Sequence, residues 1–435
     1  MDYFSGGEHL FIESSISLAQ AVTSQAKPEV SAGDTAWILA SAALVMVMTP
    51  ALGFFYGGMV RKKNALSTIN WSFITIALIS LQWVLWGYSL AFGPDKGHFI
   101  GNLSWFGLNG VGQEPNPDYA STIPHLAFMI YQAMFAIITP AIVTGALAER
   151  MKFSTFVVFS VIWATIVYDP IAHWVWGVGG WLREFGVLDF AGGSVVHIAA
   201  GVSALAAALV AGRRHGYGKE PMDPHDTTMV VLGAGLLWFG WFGFNGGSAL
   251  TSGGLATSAF VVTNTAASAG AVTWMIMAWI FGGKPSVIGM VSGAVVGLGA
   301  ITPASGYVGV SAAIAIGVGA GVFCFLAVRL RSRSKVDDSL DVWGCHGIGG
   351  TWGMLATGIF ANKAINPAGA DGLLYGNPMQ LWKQFVAVVV VWVFAFSITW
   401  IILKVLDLTM GLRVKEHEEE LGLDLSQHGE TAYRI

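Results

Sequence analysis

The chain has 435 residues, of which 54% are hydrophobic and only 11% charged, with a formal net charge of −4. A soluble globular chain carries about 25% charged residues, so the composition excludes an ordinary soluble domain, and the small net charge argues against a nucleic-acid partner. The two cysteines, Cys324 and Cys345, lie in apolar stretches and offer neither a disulfide framework nor a metal-ligand spacing.

Residues 1–34 precede the first long apolar block and contain one basic residue, Lys27, against Asp2 and Glu8 near the start. A cleaved secretory signal wants a basic beginning, so this end is expected to be a short extracytoplasmic segment. Apolar blocks then follow at roughly 35–57, 68–92, 123–148, 153–176, 190–212, 227–247, 256–281, 286–302, 307–329, 342–361 and 381–405. A membrane-crossing helix takes about 20 residues, which predicts an all-α membrane protein with eleven transmembrane helices. The expected domains are the segment 1–34, a transmembrane domain 35–405 and a cytoplasmic tail 406–435.

The loops alternate in charge. One set holds Arg61, Lys62, Lys63, Arg150, Lys152, Arg213, Arg214, Lys219, Lys284, Arg329, Arg331, Arg333 and Lys335; the other holds Lys27, Lys96, Arg183, Lys363 and Lys383. The positive-inside bias puts the richer set in the cytoplasm, the N-terminus outside and the C-terminus inside.

Ionisable groups are costly in hydrocarbon and rarely sit there without a job. Away from the ends, the predicted spans contain Asp169, His173, His197 and His346, with no central Lys or Arg. His197 in span five and His346 in span ten each follow an aspartate by eight residues, Asp189 and Asp338. Five is odd, so a second five-span unit enters from the opposite face. That predicts two five-helix inverted repeats plus a final helix, related by a pseudo-twofold axis in the membrane plane. At 1.5 Å per residue each histidine lies about 12 Å from its own end of the span. In a core about 30 Å thick, both then approach the midplane, where the axis brings them together. A lone buried histidine is otherwise a satisfied packing residue.

Small residues four apart at Gly289, Gly293 and Gly297 read as close helix packing in span eight. Without fixed positive charge in the spans, a permeant species is expected to be cationic or neutral. Trp241, Phe244 and Ser248 form one helical stripe, open to a packing or a pore-lining reading. Trp176 is open to the role of interfacial anchor or of a cation–π face at a pore mouth.

Several stretches together resemble the ammonium transporters of the Amt type within the Amt/Mep/Rh superfamily. They are GFFYGGMVRKKN (53–64), GALAER (145–150), PIAH (170–173), DFAGGSVVH (189–197), GWFGFNGGS (240–248), TPASGY (302–307), DVWGCHG (341–347) and DLTMGLR (407–413). Rh proteins share the two histidines but usually lack the outer tryptophan, so Trp176 points to the Amt branch. The resemblance implies that Trp176, Phe135 and Ser248 form an outer ammonium recruitment site and that Phe135 and Phe244 form a stacked gate beneath it. It implies that His197 and His346 line the conduit and that Asp189 supports the recruitment site from behind, with Trp241 alongside. Asp189 is equally open to a role as helix N-cap. The resemblance assigns no role to Asp169. It further implies nitrogen uptake as a homotrimer with one pore per subunit in a prokaryotic-type inner membrane, without cofactor or metal.

The physical chemistry suits that expectation. Aromatic faces and a hydroxyl partly replace the hydration shell of ammonium, and paired imidazoles can accept and donate a proton so that neutral ammonia crosses. On composition the tail from Gly411 is an acidic, solvated helix; by resemblance it docks on cytosolic loops and takes part in inhibition by a PII-type protein. The competing readings are an ammonium sensor that signals through a partner and a simple cation or ammonia channel. The segment ASGYV (304–308) does not match a TVGYG potassium filter, and no protease or metal motif supports an intramembrane enzyme.

Overall fold

The computed structural model describes residues 29–433; the extracytoplasmic segment expected over 1–34 falls mostly outside them. The described chain is predominantly helical. In chain order it forms α1 (Ala32–Met59); α2, built of Ala65–Gln82, a π turn Trp83–Gly87 and Tyr88–Phe92; and α3 (His125–Leu147). Next come α4, built of Phe153–Trp163, a π turn Ala164–Tyr168 and Asp169–Trp176, and α5, a π turn Gly193–Ile198 followed by Ala199–Ala211. Then follow α6 (Thr227–Gly246), α7 (Gly254–Gly282), α8 (Val287–Ile301) and α9 (Val310–Ser332). Last in the bundle are α10, a π turn Trp343–Gly347 with Ile348–Phe360, and α11 (Pro378–Thr409). A helix stands within each predicted apolar block. Among the described residues nine helical segments are long and apolar enough to cross a membrane; α8, with 15 residues, and α10 are not among them.

Local chemistry sets several helix starts. The Ser31 hydroxyl accepts the Asp34 N–H at 3.2 Å, the Asp226 carboxylate accepts that of Met229 at 3.0 Å, and the Ser286 hydroxyl accepts that of Gly289 at 3.0 Å. The helices are apolar inside and out. Trp71, Phe156 and Trp163 are buried, while Leu232, Ile280 and Val393 are more than half exposed. That is the pattern expected of helices bathed in lipid. Glycines let backbones touch where α7 meets α8: a side chain at Gly293 or Gly297 would collide with the Gly270 carbonyl or the Ala266 carbonyl. The packing reading of that stripe holds.

One face gathers the basic loops. There Glu149 is enclosed by Arg61 and Arg214, each 3.0 Å away, and Arg214 also pairs with Asp337 at 2.8 Å. The tail lies on this same face as α12 (Glu416–Leu421) and α13 (Leu423–His428). The expectation of a solvated tail, drawn from its composition, is wrong: Glu419, Leu423 and Asp424 are at most 3% exposed. Asn64, at the start of α2, makes no side-chain cap. Asp424 caps the helix from the tail instead, accepting the Leu66 and Ser67 N–H groups at 3.0 and 2.7 Å. Glu419 takes Arg413 and the His215 N–H, and the Lys63 ammonium donates to the Glu420 carbonyl at 2.6 Å. The acidic composition therefore serves bonds to loops far away in sequence.

Candidate functional site

The two histidine helices begin alike. The Asp189 carboxylate accepts the N–H groups of Gly192, Gly193 and Ser194 at 2.7–2.8 Å, and the Asp338 carboxylate accepts that of Trp343 at 2.8 Å. Both aspartates thus satisfy the free donors at a helix start. Each helix then makes a π turn, and His197 and His346 sit within those turns. Such turns frequently mark functional sites. Four residues beyond each histidine is a glycine, Gly201 or Gly350. A side chain at Gly201 would strike Gly347, and one at Gly350 would meet the His197 Cβ at 2.9 Å. Bare backbone at these crossings lets α5 and α10 approach until the two imidazoles face each other.

The Nδ1 atoms of His197 and His346 are 3.2 Å apart, with ring centroids 5.3 Å apart and planes within 18°. His197 also stacks on Trp241 at 5.5 Å, and Trp241 is held by its indole N–H donating to the Thr302 hydroxyl at 2.9 Å. The cavity around the imidazoles is about 10 Å³ and is otherwise lined by aliphatic and aromatic side chains, including Leu52, Ile138, Val196 and Phe244. A water needs about 10–15 Å³ measured this way, so the passage is at the limit for a single small molecule and excludes a hydrated ion. The His197 Nε2 is buried without a protein partner.

A wide vestibule opens at each end. The one on the face opposite the tail is about 540 Å³ and is lined by Phe135, Trp176, Asp189 and Ser248 among others. Phe135 stands beneath Trp176, edge to face at 6.0 Å, and against Phe244 at 4.4 Å. The Phe135 and Phe244 rings are tilted by 49° rather than stacked parallel. Phe244 belongs to the lining of the histidine cavity, so the two phenylalanines separate vestibule from passage. On the tail face, a cavity of about 880 Å³ reaches His346 and is lined by Tyr56, Arg213, Arg331 and Cys345 among others.

The structure brings the residues predicted for the site into this one series: Trp176, Phe135 and Ser248, then Phe244, then His197, His346 and Trp241. Asp189 reaches the outer vestibule through its backbone: its carbonyl accepts the Trp176 indole N–H at 2.9 Å while its carboxylate caps the helix. It thereby supports Trp176 and caps α5 at once. Tyr131 was missed by sequence reasoning. Its hydroxyl lies 2.8 Å from the Phe244 carbonyl and 3.1 Å from the Ser248 hydroxyl, tying the end of α6 to α3. Its place one turn before Phe135 was the available signal. His173 does not join the passage; its ring nitrogens meet the Ala91 carbonyl and Asp95 at 3.0 and 2.9 Å.

Residues 36–433 match the sequence profile described as the Ammonium Transporter Family. The chain is 53% identical over 403 residues to a protein named "Ammonium transporter" from Bacillus subtilis (strain 168), with 92% of this chain and 98% of that protein covered. The crystal structure of Candida albicans Mep2 superposes with a TM-score of 0.85 at 40% identity, covering 93% of this chain and 91% of the other. A structure titled "Sensor Amt Protein" superposes with a TM-score of 0.83 at 29% identity, covering 91% of this chain and 98% of the other.

Proposed function

Because the chain belongs to the ammonium transporter family, we propose that it captures ammonium at the outer vestibule, removes a proton and conducts ammonia past the paired histidines. The observation that carries this reading is the 3.2 Å approach of His197 and His346 inside an apolar passage with room for about one small molecule. A bare cation at that depth costs several kcal/mol at least, whereas neutral ammonia meets imidazole nitrogens able to donate or accept. Phe135 and Phe244 act as the gate between vestibule and passage.

Eleven helices cross the membrane in this reading, α8 and α10 included, as two inverted five-helix units and a final α11. The matched aspartate caps, π turns and glycines of α5 and α10 support the repeat. The tail face, which collects Arg61, Lys63, Arg150, Arg213 and Arg331, is the cytoplasmic side. The protein then sits in an inner membrane of prokaryotic type, as a homotrimer with one pore per subunit, and 406–435 is its regulatory tail. The test of transport is current or pH change in proteoliposomes under an imposed ammonium gradient. Absence of any ammonium flux, with intact binding of the ion, would favour sensing over transport.

Trp176→Leu will weaken ammonium capture and selection while leaving the fold intact, because it removes the strongest π face at the vestibule. Loss of a cation–π contact of about 0.5–2 kcal/mol predicts a rise of about two-fold to thirty-fold in the ammonium concentration giving half-maximal flux. Unchanged half-saturation and an unchanged preference over methylammonium would return Trp176 to the role of anchor.

Deleting residues 412–435 will abolish inhibition by a PII-type partner and change basal flux, because the tail spans loops contributed by α2, α5 and α6. A pull-down from nitrogen-replete cells will recover that partner with the full chain and lose it after deletion. Retained binding would move its docking site to the loops at 213–226 or 329–341.

A further inference from the structure

We infer that Asp169 is held as a neutral carboxylic acid, joined in a closed two-bond ring to the Gln82 carboxamide, and so forms a proton-binding site between α2 and α4. Neither residue lines the vestibules or the histidine passage. Asp169 is fully buried and Gln82 is 2% exposed. Gln82 precedes the π turn of α2 and Asp169 follows the π turn of α4. The two therefore meet where both helices depart from regular geometry.

The hydrogen bonds leave two matched orphans. The Gln82 Nε2 donates to the Asp169 Oδ2 at 2.8 Å and to the Thr165 hydroxyl oxygen at 3.3 Å, which uses both of its hydrogens. The Thr165 hydroxyl donates to the Val161 carbonyl and also accepts from the Trp86 indole, so it has no proton left to offer. That fixes the amide orientation and leaves the Gln82 Oε1 and the Asp169 Oδ1 buried without a donor. Gly87 leaves room for the amide: a side chain there would meet the Gln82 Nε2 and Oε1 at 2.6 Å.

Two unsatisfied acceptors belonging to one bonded pair call for something shared between them. A proton on the Asp169 Oδ1 supplies it, since a carboxylic acid donates to the carbonyl of the same amide whose N–H it accepts. A small metal cation would want several oxygen ligands, and the bonded pair offers two. An ionised carboxylate would have to survive inside the bundle without a cation bonded to it. The titratable neighbours along α4 do not supply one: the Tyr168 hydroxyl has no hydrogen-bond partner, and the His173 ring is turned to Ala91 and Asp95.

The test is infrared difference spectroscopy of the full-length protein in liposomes at mildly alkaline pH, wild type against Asp169→Asn, together with melting temperature and ammonium flux. The expected result is a carbonyl stretch of a protonated carboxyl in the wild type that moves on exchange into D₂O and is missing from Asp169→Asn. That variant will show no fold-change in flux and no drop in melting temperature, because its amide offers Gln82 the same donor. A wild type without the band, or a melting temperature that depends on sodium or potassium, would mean an ionised Asp169 and overturn the inference. A band that persists in Asp169→Asn would overturn it too, and so would failure of Asp169→Asn to fold where Asp169→Glu succeeds.

Discussion

Replacing His197 by Ala will lower proton-coupled ammonium flux by about 10²-fold or more, the scale on which a positioned proton-transferring group contributes. Adding His346→Ala will lower it little further. The reason is the shared Nδ1–Nδ1 contact of 3.2 Å. When both rings are neutral, one Nδ1 must carry the proton and the other must accept it, so each ring sets the tautomer of its neighbour. Residues that act as one unit lose function non-additively. His346→Ala alone will therefore match His197→Ala. Truncation also enlarges a passage now sized for about one small molecule, and a leak of potassium is expected to accompany the loss. An acidic residue at either position adds fixed negative charge and will favour cation passage further. The measurement is current under separate ammonium and potassium gradients for both single variants and the double. Simple addition of two partial losses, or single variants that still exclude potassium and move protons, would reduce the pair to packing residues.

Arg214→Ala will destabilise the basic face by about 3–5 kcal/mol, the usual consequence of removing one partner from a buried ion pair. Arg214 touches Glu149 and Asp337 at once, and all three side chains are almost wholly buried. Burial by itself would raise the Glu149 carboxyl, but Arg214 and then Arg61 outweigh it and hold the group below its ordinary value. Burial likewise acts upward on Asp337 and is overcome by hydrogen bonding to Arg214 and the charge of Arg150. A carboxyl lowered in the folded state adds stability above its unfolded value, and that stability is lost as pH falls through the folded one. The wild type will therefore begin to lose melting temperature as pH falls through the ordinary carboxylate range, and will go on losing it down to the lowered values of the folded state. Arg214→Ala will melt lower at neutral pH and, with less lowering of the two carboxyls left to lose, will respond less to acid across that range. Equal melting curves for the two proteins at neutral pH would show that Arg61 and Arg150 suffice. Because the Glu149 and Asp337 loops border the tail, the variant will also loosen the region about Arg413 and Glu419, visible as faster hydrogen exchange there.

Much of the architecture was legible in the residues. Long apolar blocks force helices, since backbone groups in lipid must be satisfied within their own segment. The block positions and the stripe Gly289, Gly293, Gly297 followed from spacing alone. The pairing of His197 with His346 was readable because a repeated Asp-to-His interval places both at similar depth. What spacing could not supply was local departure from the regular helix: the π turns at 193–198 and 343–347 hold the two histidines, and a period of 3.6 residues does not foresee them. Tyr131 beside Ser248, Gln82 beside Asp169 and the cap that Asp424 lends to α2 were equally hidden, because each joins residues with no sequence relation. The tail was misread from composition for the same reason. Glu419 and Asp424 count as solvated charges until their partners, Arg413, His215 and the bare start of α2, are brought beside them. Depth along a helix is a property of the chain; which side chain meets which across two helices is settled only when the helices pack.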